Sequence, residues 1–165
     1  LRMSRGLGDV YKRQLYNRMA YEKLALPLFQ QYMQKGRPVG ILFADADHLK
    51  YINDNFGHDM GNLAIRSIAS VIQQQCPVGS ISMRYGGDEF VCVIPDYSQS
   101  KIQQLKESIL ASLEEFSSTS RTVFPLEASI GFVVADDPVF SLNDYINLAD
   151  EKVYAEKKER KATRQ

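Results

Sequence analysis

The chain of 165 residues has no tryptophan, only two histidines and two cysteines, and no excess of charge, its 20 Lys plus Arg matching 20 Asp plus Glu. Each shortage excludes something. Without net charge no global field draws the chain to nucleic acid or to a membrane surface, so local groups must meet any anionic ligand. Cys76 and Cys92 form no Cys-x-x-Cys unit, so neither a zinc ribbon nor a disulfide scaffold is indicated. A reduced, cytoplasmic setting is expected. No apolar run approaches the roughly 20 residues that span a bilayer, and no signal-peptide pattern is visible. The domain itself is expected to make no direct membrane contact, although the parent protein can be membrane-anchored. The length suits one domain with a sizeable core.

What is present begins irregularly. Residues 1–14 are basic, contain glycine and follow neither a helical nor a strand period. They read as non-native sequence or as a linker from an upstream domain, leaving 15–165 as the folded unit. Asn17 can cap a helix whose stripe is Met19, Leu24, Leu28 and Tyr32, which Pro27 must kink or divide. The apolar run 39–44 predicts a strand buried on both faces, with Asp45, Asp47 and Lys50 just past its carboxyl end. An apolar helix is expected over 61–75 through Leu63, Ile65, Ile68, Ala69 and Ile72. Two strands, 80–85 and 89–94, flank Gly86-Gly87, a pair that signals a two-residue hairpin because both positions tolerate positive φ. Ser100 can cap a helix with the stripe Ile102, Leu105, Ile109, Leu113 and Phe116. A polar loop over 117–121 and a strand over 126–134 follow. Ser141 and Asp144 then form a capping box that opens a last helix with Tyr145, Ile146, Ala149 and Val153 on one face. The order β-α-β-β-α-β-α implies an α+β fold, a split β-α-β antiparallel sheet with helices on one face plus an extra carboxyl-terminal helix.

Asp88 and Glu89 directly follow the glycine pair. Two carboxylates in a tight turn repel one another, so stability alone gives them no reason to be there. Asp45 at a strand end and Asp88 in a facing turn can share a cation. Ligation by oxygen, without a Cys or His cluster, favours Mg²⁺ or Mn²⁺ over Zn²⁺.

The string Arg84-Tyr85-Gly86-Gly87-Asp88-Glu89-Phe90 resembles the signature of the GGDEF domain, the diguanylate cyclase family. A second string, from Asp45 to Asn62, is similar to the family's Asp-x-Asp-x-Phe-Lys-x-Ile-Asn-Asp-x-x-Gly-His-x-x-Gly-Asp, agreeing at Asp45, Asp47, Lys50, Ile52, Asn53, Asp54, Gly57, His58 and Gly61. Leu15-x-Asn17-Arg18, Ser129-Ile130-Gly131 and Ala149-Asp150 with Tyr154 and Lys157 also match, so the resemblance runs from residue 15 to about residue 161.

The resemblance implies a ferredoxin-like, nucleotidyl-cyclase palm and the condensation of two GTP to cyclic di-GMP and two pyrophosphates, in a homodimer that uses Mg²⁺ or Mn²⁺. It implies metal ligation by Asp45, the Ala46 carbonyl and Asp88, with Asp88 also the catalytic carboxylate and Glu89 a second ligand or a structural acid. Lys50 would stabilise phosphate charge, and amides around His48 and Leu49 would meet the phosphates. Asn53, His58 and Asn62 would line the nucleoside side, and Lys157 with either Lys161 or Arg160 would reach the terminal phosphates. An upstream sensor domain is the expected partner beyond the substrate and the second subunit.

Three positions depart from the pattern. Asn62 stands where the family has aspartate, which implies relaxed base selectivity that admits ATP. Pro77-Val78-Gly79-Ser80 occupies the slot of an Arg-x-x-Asp inhibitory site and carries no charge, which implies little product inhibition. Tyr11-Lys12-Arg13-Gln14 replaces the Asp-x-Leu-Thr-Gly that usually precedes Leu15. The main alternative is a catalytically weak domain that binds GTP and regulates a partner. A ligand-free dimerisation module leaves Asp45, Lys50 and Asp88 without a role, and an unrelated metal-dependent nucleotidyltransferase does not account for the full strings.

Overall fold

The computed structural model describes residues 15–120 and 122–163. Expectations for residues 1–14, Arg121, Arg164 and Gln165 lie outside the described residues. Four antiparallel strands form one sheet in the order β2-β3-β1-β4, with β1 Val39–Ala46, β2 Ile81–Arg84, β3 Glu89–Pro95 and β4 Ala128–Ala135. Helices α1 Leu26–Gln34, α2 Leu49–Phe56, α3 His58–Gln75, α4 Gln99–Thr119 and α5 Leu142–Thr163 cover it.

The central strand β1 shows why both faces must be covered. Leu42, Ala44 and Ala46 enter one core with α2, α3 and α4, while Val39, Ile41 and Phe43 enter a second with α1 and α5. A strand buried on both faces reads as a continuous apolar run because both parities need apolar side chains. The β-α-β-β-α-β core is as expected, but helices lie on both faces, since α1 joins α5 against the side that α3 and α4 leave bare. The edge strand β2 is paired by the leading segment: Tyr16 N–H donates to the Ser82 carbonyl at 3.0 Å, and Arg84 N–H to the Tyr16 carbonyl at 2.8 Å.

Local differences from expectation have physical reasons. The leading helix begins as a π-helical turn, Tyr21–Ala25, and becomes α-helical around Pro27, which has no N–H to give. The wider turn shifts the buried face to Ala20, Ala25, Phe29 and Met33, while Met19 and Leu24 are exposed. Asn17 closes a turn ahead of the helix, its Oδ1 accepting from Met19 N–H at 3.1 Å, rather than capping the helix. Ser98, not Ser100, caps α4, accepting from Lys101 N–H. That helix runs through Thr119 instead of ending in a loop at 117, and Ser117, Ser118 and Thr119 turn their hydroxyls onto carbonyls one turn back. The capping box forms: Ser141 N–H donates to Asp144 Oδ2 at 2.8 Å and Asp144 N–H to Ser141 Oγ at 3.1 Å.

The crossing of α5 over β4 depends on Gly131. A Cβ there would run into the Ala149 carbonyl oxygen and lie 2.9 Å from the Val153 nitrogen, both backbone atoms. Gly131→Ala should therefore push α5 off the sheet and destabilise the domain by about 2 kcal/mol. Chemical denaturation measures this, and an unchanged midpoint would contradict so close an approach.

Candidate active site

The site lies where β1 ends, the β2–β3 turn folds over and α5 passes. Strand β1 continues to Ala46, two residues beyond the apolar run, so Asp45 is fixed by sheet register: it pairs with Glu89 on one side and Ser129 on the other. The Ala46 N–H donates to the Asp88 carbonyl at 2.9 Å, which ties the turn to the strand end.

The turn is not a two-residue hairpin. Tyr85 and Gly86 N–H groups both donate to the Glu89 carbonyl, and neither Gly86 nor Gly87 adopts a positive φ. Gly86 is needed for space, since a Cβ there would strike the Glu89 carboxylate. Arg84 fastens the turn by donating through its guanidinium to the Gly87 carbonyl, at 2.6 Å from Nη2. Arg18 lies 4.5 Å from the centre of the Tyr85 ring.

Four charged groups, Asp45 near the end of β1, Asp47 just past it, and Lys157 and Arg160 on α5, interlock. Lys157 Nζ donates to Asp45 Oδ2 at 2.7 Å and sits 3.4 Å from Asp47 Oδ1. Both Asp47 oxygens lie within reach of the Ser129 hydroxyl, at 2.8 and 2.9 Å, and Arg160 Nη1 is 3.5 Å from Asp47 Oδ2. Arg160 also donates to Ser129 Oγ. Asp45 Oδ1 is buried with no hydrogen-bond partner among the described residues. Asp47, His48, Lys157, Arg160 and Lys161 line an open cleft of about 280 Å³ beside this network.

Burial pushes the Asp45 carboxyl above its ordinary range and, with Asp88 and Asp47, outweighs the Lys157 ammonium that opposes the shift. Burial works against the charge on Lys157, yet its hydrogen bond to Asp45 and the attraction of both aspartates hold its pKa above the usual value. Burial, then Asp45, Asp88 and Asp150, raise Glu89. A raised carboxyl pKa means that the folded state holds the proton more tightly than the unfolded chain. Stability from this group is therefore highest at low pH and is lost as pH rises through the folded pKa. Glu89→Gln should raise the Tm of the metal-free domain at pH 7.5 by on the order of 2 °C, with no gain at a pH below the ordinary glutamate range. Calorimetric melts at the two pH values test this.

The remaining expected residues lie around this centre. His48, in the left-handed conformation, precedes α2, lines the cleft and sits 3.1 Å from Glu127 through Nε2, and Leu49 is the first residue of α2. Lys50 is 92% exposed and pairs with Asp54 at 3.4 Å, away from Asp45. Asn53 packs so closely on α3 that a Cβ at Gly61 would overlap its side chain. His58 and Asn62 are exposed on the first turns of α3, which begins three residues earlier than expected. Helix α2 was not anticipated at all. Among the described residues no group of three or more His, Cys, Asp or Glu side chains is placed to cage a metal by itself. In the sequence Arg160 stands as an alternative to Lys161, signalled only by the charged end of the last helix; Asp150 matches a family position without an assigned role, and Glu127 carries no signal.

The sequence profile described as "Diguanylate cyclase, GGDEF domain" matches residues 12–163. The chain belongs to the GGDEF domain family. Among curated GGDEF relatives, it is 35% identical over 147 residues to diguanylate cyclase VdcA of Vibrio cholerae, covering 87% of this chain and 42% of that protein. It is 33% identical to the probable diguanylate cyclase DgcJ of Escherichia coli, covering 87% of this chain and 28% of that one. The chain thus spans less than half the length of these relatives. Its fold matches the GGDEF domain of DgcB from Caulobacter crescentus, solved in complex with c-di-GMP, with a TM-score of 0.80 at 28% identity over 88% of this chain and 86% of that one. The four-stranded antiparallel sheet with its helices is the palm-like α+β fold of GGDEF domains. No helix among the described residues is long and apolar enough to cross a membrane.

Proposed function

We propose that this domain is a diguanylate cyclase: as a homodimer with Mg²⁺ or Mn²⁺, it condenses two GTP to cyclic di-GMP and releases two pyrophosphates. The observation that carries this reading is the pairing of an under-satisfied carboxylate, Asp45, with the Asp88–Glu89 turn across the sheet from it. Asp88 adds to the proton affinity of both Asp45 and Glu89, and carboxylates crowded in this way call for a cation. A buried oxygen without a hydrogen bond, flanked by hard oxygen donors, suits Mg²⁺ or Mn²⁺. The lack of a complete protein cage is in keeping with Mg²⁺, which is usually held by one or two carboxylates together with substrate phosphates.

Asp45, the Ala46 carbonyl and Asp88, with Glu89 beside them, would hold the metal. When bound, it would neutralise the triphosphate and stabilise charge at the reacting phosphorus. The chain's own groups do the rest by position and charge. Lys157, Arg160 and Lys161 line the cleft together with His48, and the amides of His48 and Leu49, where α2 begins, would meet the phosphates. Lys50 reaches a phosphate only by leaving Asp54, an exposed pair that costs little to break. Asn53, His58 and Asn62 would line the nucleoside side at the α2–α3 corner. Asp88 would be the acid that serves the incoming 3′-hydroxyl. One chain presents one nucleotide, so both phosphodiester bonds need two chains facing each other.

The test is incubation of the domain at high concentration with Mg²⁺ and GTP, with products separated by mass. Cyclic di-GMP should form, and the specific rate should rise with protein concentration. Nucleotide binding without product would favour a GTP-binding regulatory module, the reading to which Asn62 lends some weight. A rate independent of concentration would remove the homodimer.

Product inhibition should be weak. Residues 77–80 form an uncharged turn in which Val78 is fully exposed and Gly79 has φ +92°. No guanidinium or carboxylate there can grip a guanine or a phosphate. Added cyclic di-GMP should leave the initial rate unchanged in a progress assay, and tight product binding lost on substitution within 77–80 would contradict this.

A further inference from the structure

Lys157 is held differently from the other cations of the cleft. Its ammonium is on Asp45 at 2.7 Å, and the side chain is about one-third exposed, at 34%. Asp47, its second partner, has replacements in hand: the Ser129 hydroxyl at 2.8 Å and Arg160 at 3.5 Å. Asp45 has none. Among the described residues its Oδ2 has only Lys157, and its Oδ1 is buried without a hydrogen bond. Lys157 can therefore leave without stranding Asp47, but it can leave Asp45 only if another cation takes its place, because a half-buried carboxylate with one oxygen shut off from solvent is costly to leave unpaired.

We propose that Lys157 is an internal counter-ion, occupying Asp45 until a divalent cation displaces it and frees the ammonium for the triphosphate. This rests on the reading of Asp45 as a metal ligand. A divalent charge on one oxygen of a carboxylate repels an ammonium held by the other, so the two compete. Lysine suits the exchange, since it is a point charge on a flexible stem. Arg160 does not, being fixed between Asp47, Ser129 and Glu156, the last at 3.7 Å. The exchange couples two ligands. Metal arrival presents Lys157 to the nucleotide, and by linkage a nucleotide that engages Lys157 strengthens metal binding by the same factor.

The test is titration of the domain with Mn²⁺ alone, without nucleotide, followed by electron paramagnetic resonance of the free ion. Lys157→Met should bind Mn²⁺ about tenfold more tightly than the parent, in the usual range of coupling factors. Lys157→Gln, which keeps a polar head, should behave alike, and circular dichroism melts confirm that both fold. Lys161→Met controls for the general loss of a positive charge: Lys161 lines the same cleft but makes no ion pair with Asp45, and its removal should change affinity less than about twofold. If Lys157→Met and Lys157→Gln match the parent or Lys161→Met while Asp45→Asn abolishes binding, the exchange is overturned and the metal site stands. If Asp45→Asn leaves Mn²⁺ binding unchanged, the metal assignment fails and the exchange with it.

Discussion

Replacing Asp88 by alanine should lower cyclic di-GMP formation from GTP by about a thousandfold, equivalent to about 4 kcal/mol of transition-state stabilisation, and leave the fold intact. The two halves of that expectation come from different atoms of one residue. The backbone carbonyl of Asp88 accepts the Ala46 N–H at 2.9 Å and so fastens the turn to β1. Alanine keeps that bond. Arg84 secures the turn through the Gly87 carbonyl, again independently of the Asp88 side chain. What alanine removes is one of the carboxylates that act on Asp45 and the acid proposed to serve the attacking hydroxyl. In phosphoryl transfer the protein supplies mainly position and charge, so losing a group that serves both is not made good by the others. Circular dichroism and melting should show a domain at least as stable as the parent, because a source of repulsion on Glu89 has gone. Residual activity within tenfold of the parent would remove Asp88 from the chemistry, and a collapsed melting transition would show that its side chain is structural.

The acids of this site were readable in order along the chain because each stands in a short string beside glycine or at the end of an apolar run. Their mutual arrangement was only half readable. The run of apolar residues from Val39 marks a buried strand, but polar Asp45 conceals that the strand continues to Ala46, and sheet register is what sets Asp45 opposite both Glu89 and Ser129. The Ser129–Asp47–Arg160 contact joins residues far apart in sequence, and no local period announces it. Helix α2 is hard to read because it is only 8 residues long and its stripe, Leu49, Ile52 and Phe56, is three apolar residues of which Ile52 alone is buried. The glycines misled in a more instructive way. Gly-Gly between strands suggests positive φ, yet Gly86 serves to clear Glu89 and Gly131 to admit α5, demands of space that sequence cannot distinguish from demands of conformation. The leading helix failed by phase: one π-helical turn moved the buried face from Leu24 to Ala25.

Asn62→Asp should raise the preference of the domain for GTP over ATP by between about 30-fold and several hundredfold, the equivalent of about 2 to 4 kcal/mol. Asn62 is exposed on the first turns of α3, next to Gly61, against which the Asn53 side chain is pressed. Both residues thus belong to one rigid corner, where α2 meets α3 at Gly57 with φ +91°. A carboxylate at this position would accept from guanine N1–H and from the 2-amino group, two charge-assisted bonds. The asparagine amide has one acceptor and would turn its NH₂ toward a donor, so guanine would lose one bond and gain a mismatch. Adenine offers an amino donor and a ring acceptor side by side, which an amide can match with both of its groups. The parent domain supplied with equal GTP and ATP should therefore yield a mixed cyclic dinucleotide alongside cyclic di-GMP, and Asn62→Asp should yield cyclic di-GMP alone at a higher kcat/KM for GTP. Mass spectrometry of products from GTP, ATP and their mixture decides the matter. Exclusive cyclic di-GMP from the parent, with an efficiency that Asn62→Asp does not improve, would mean that the base is read elsewhere. Because Asn62 is not among the residues that line the cleft, the substitution should change base recognition without altering the proposed metal and phosphate contacts.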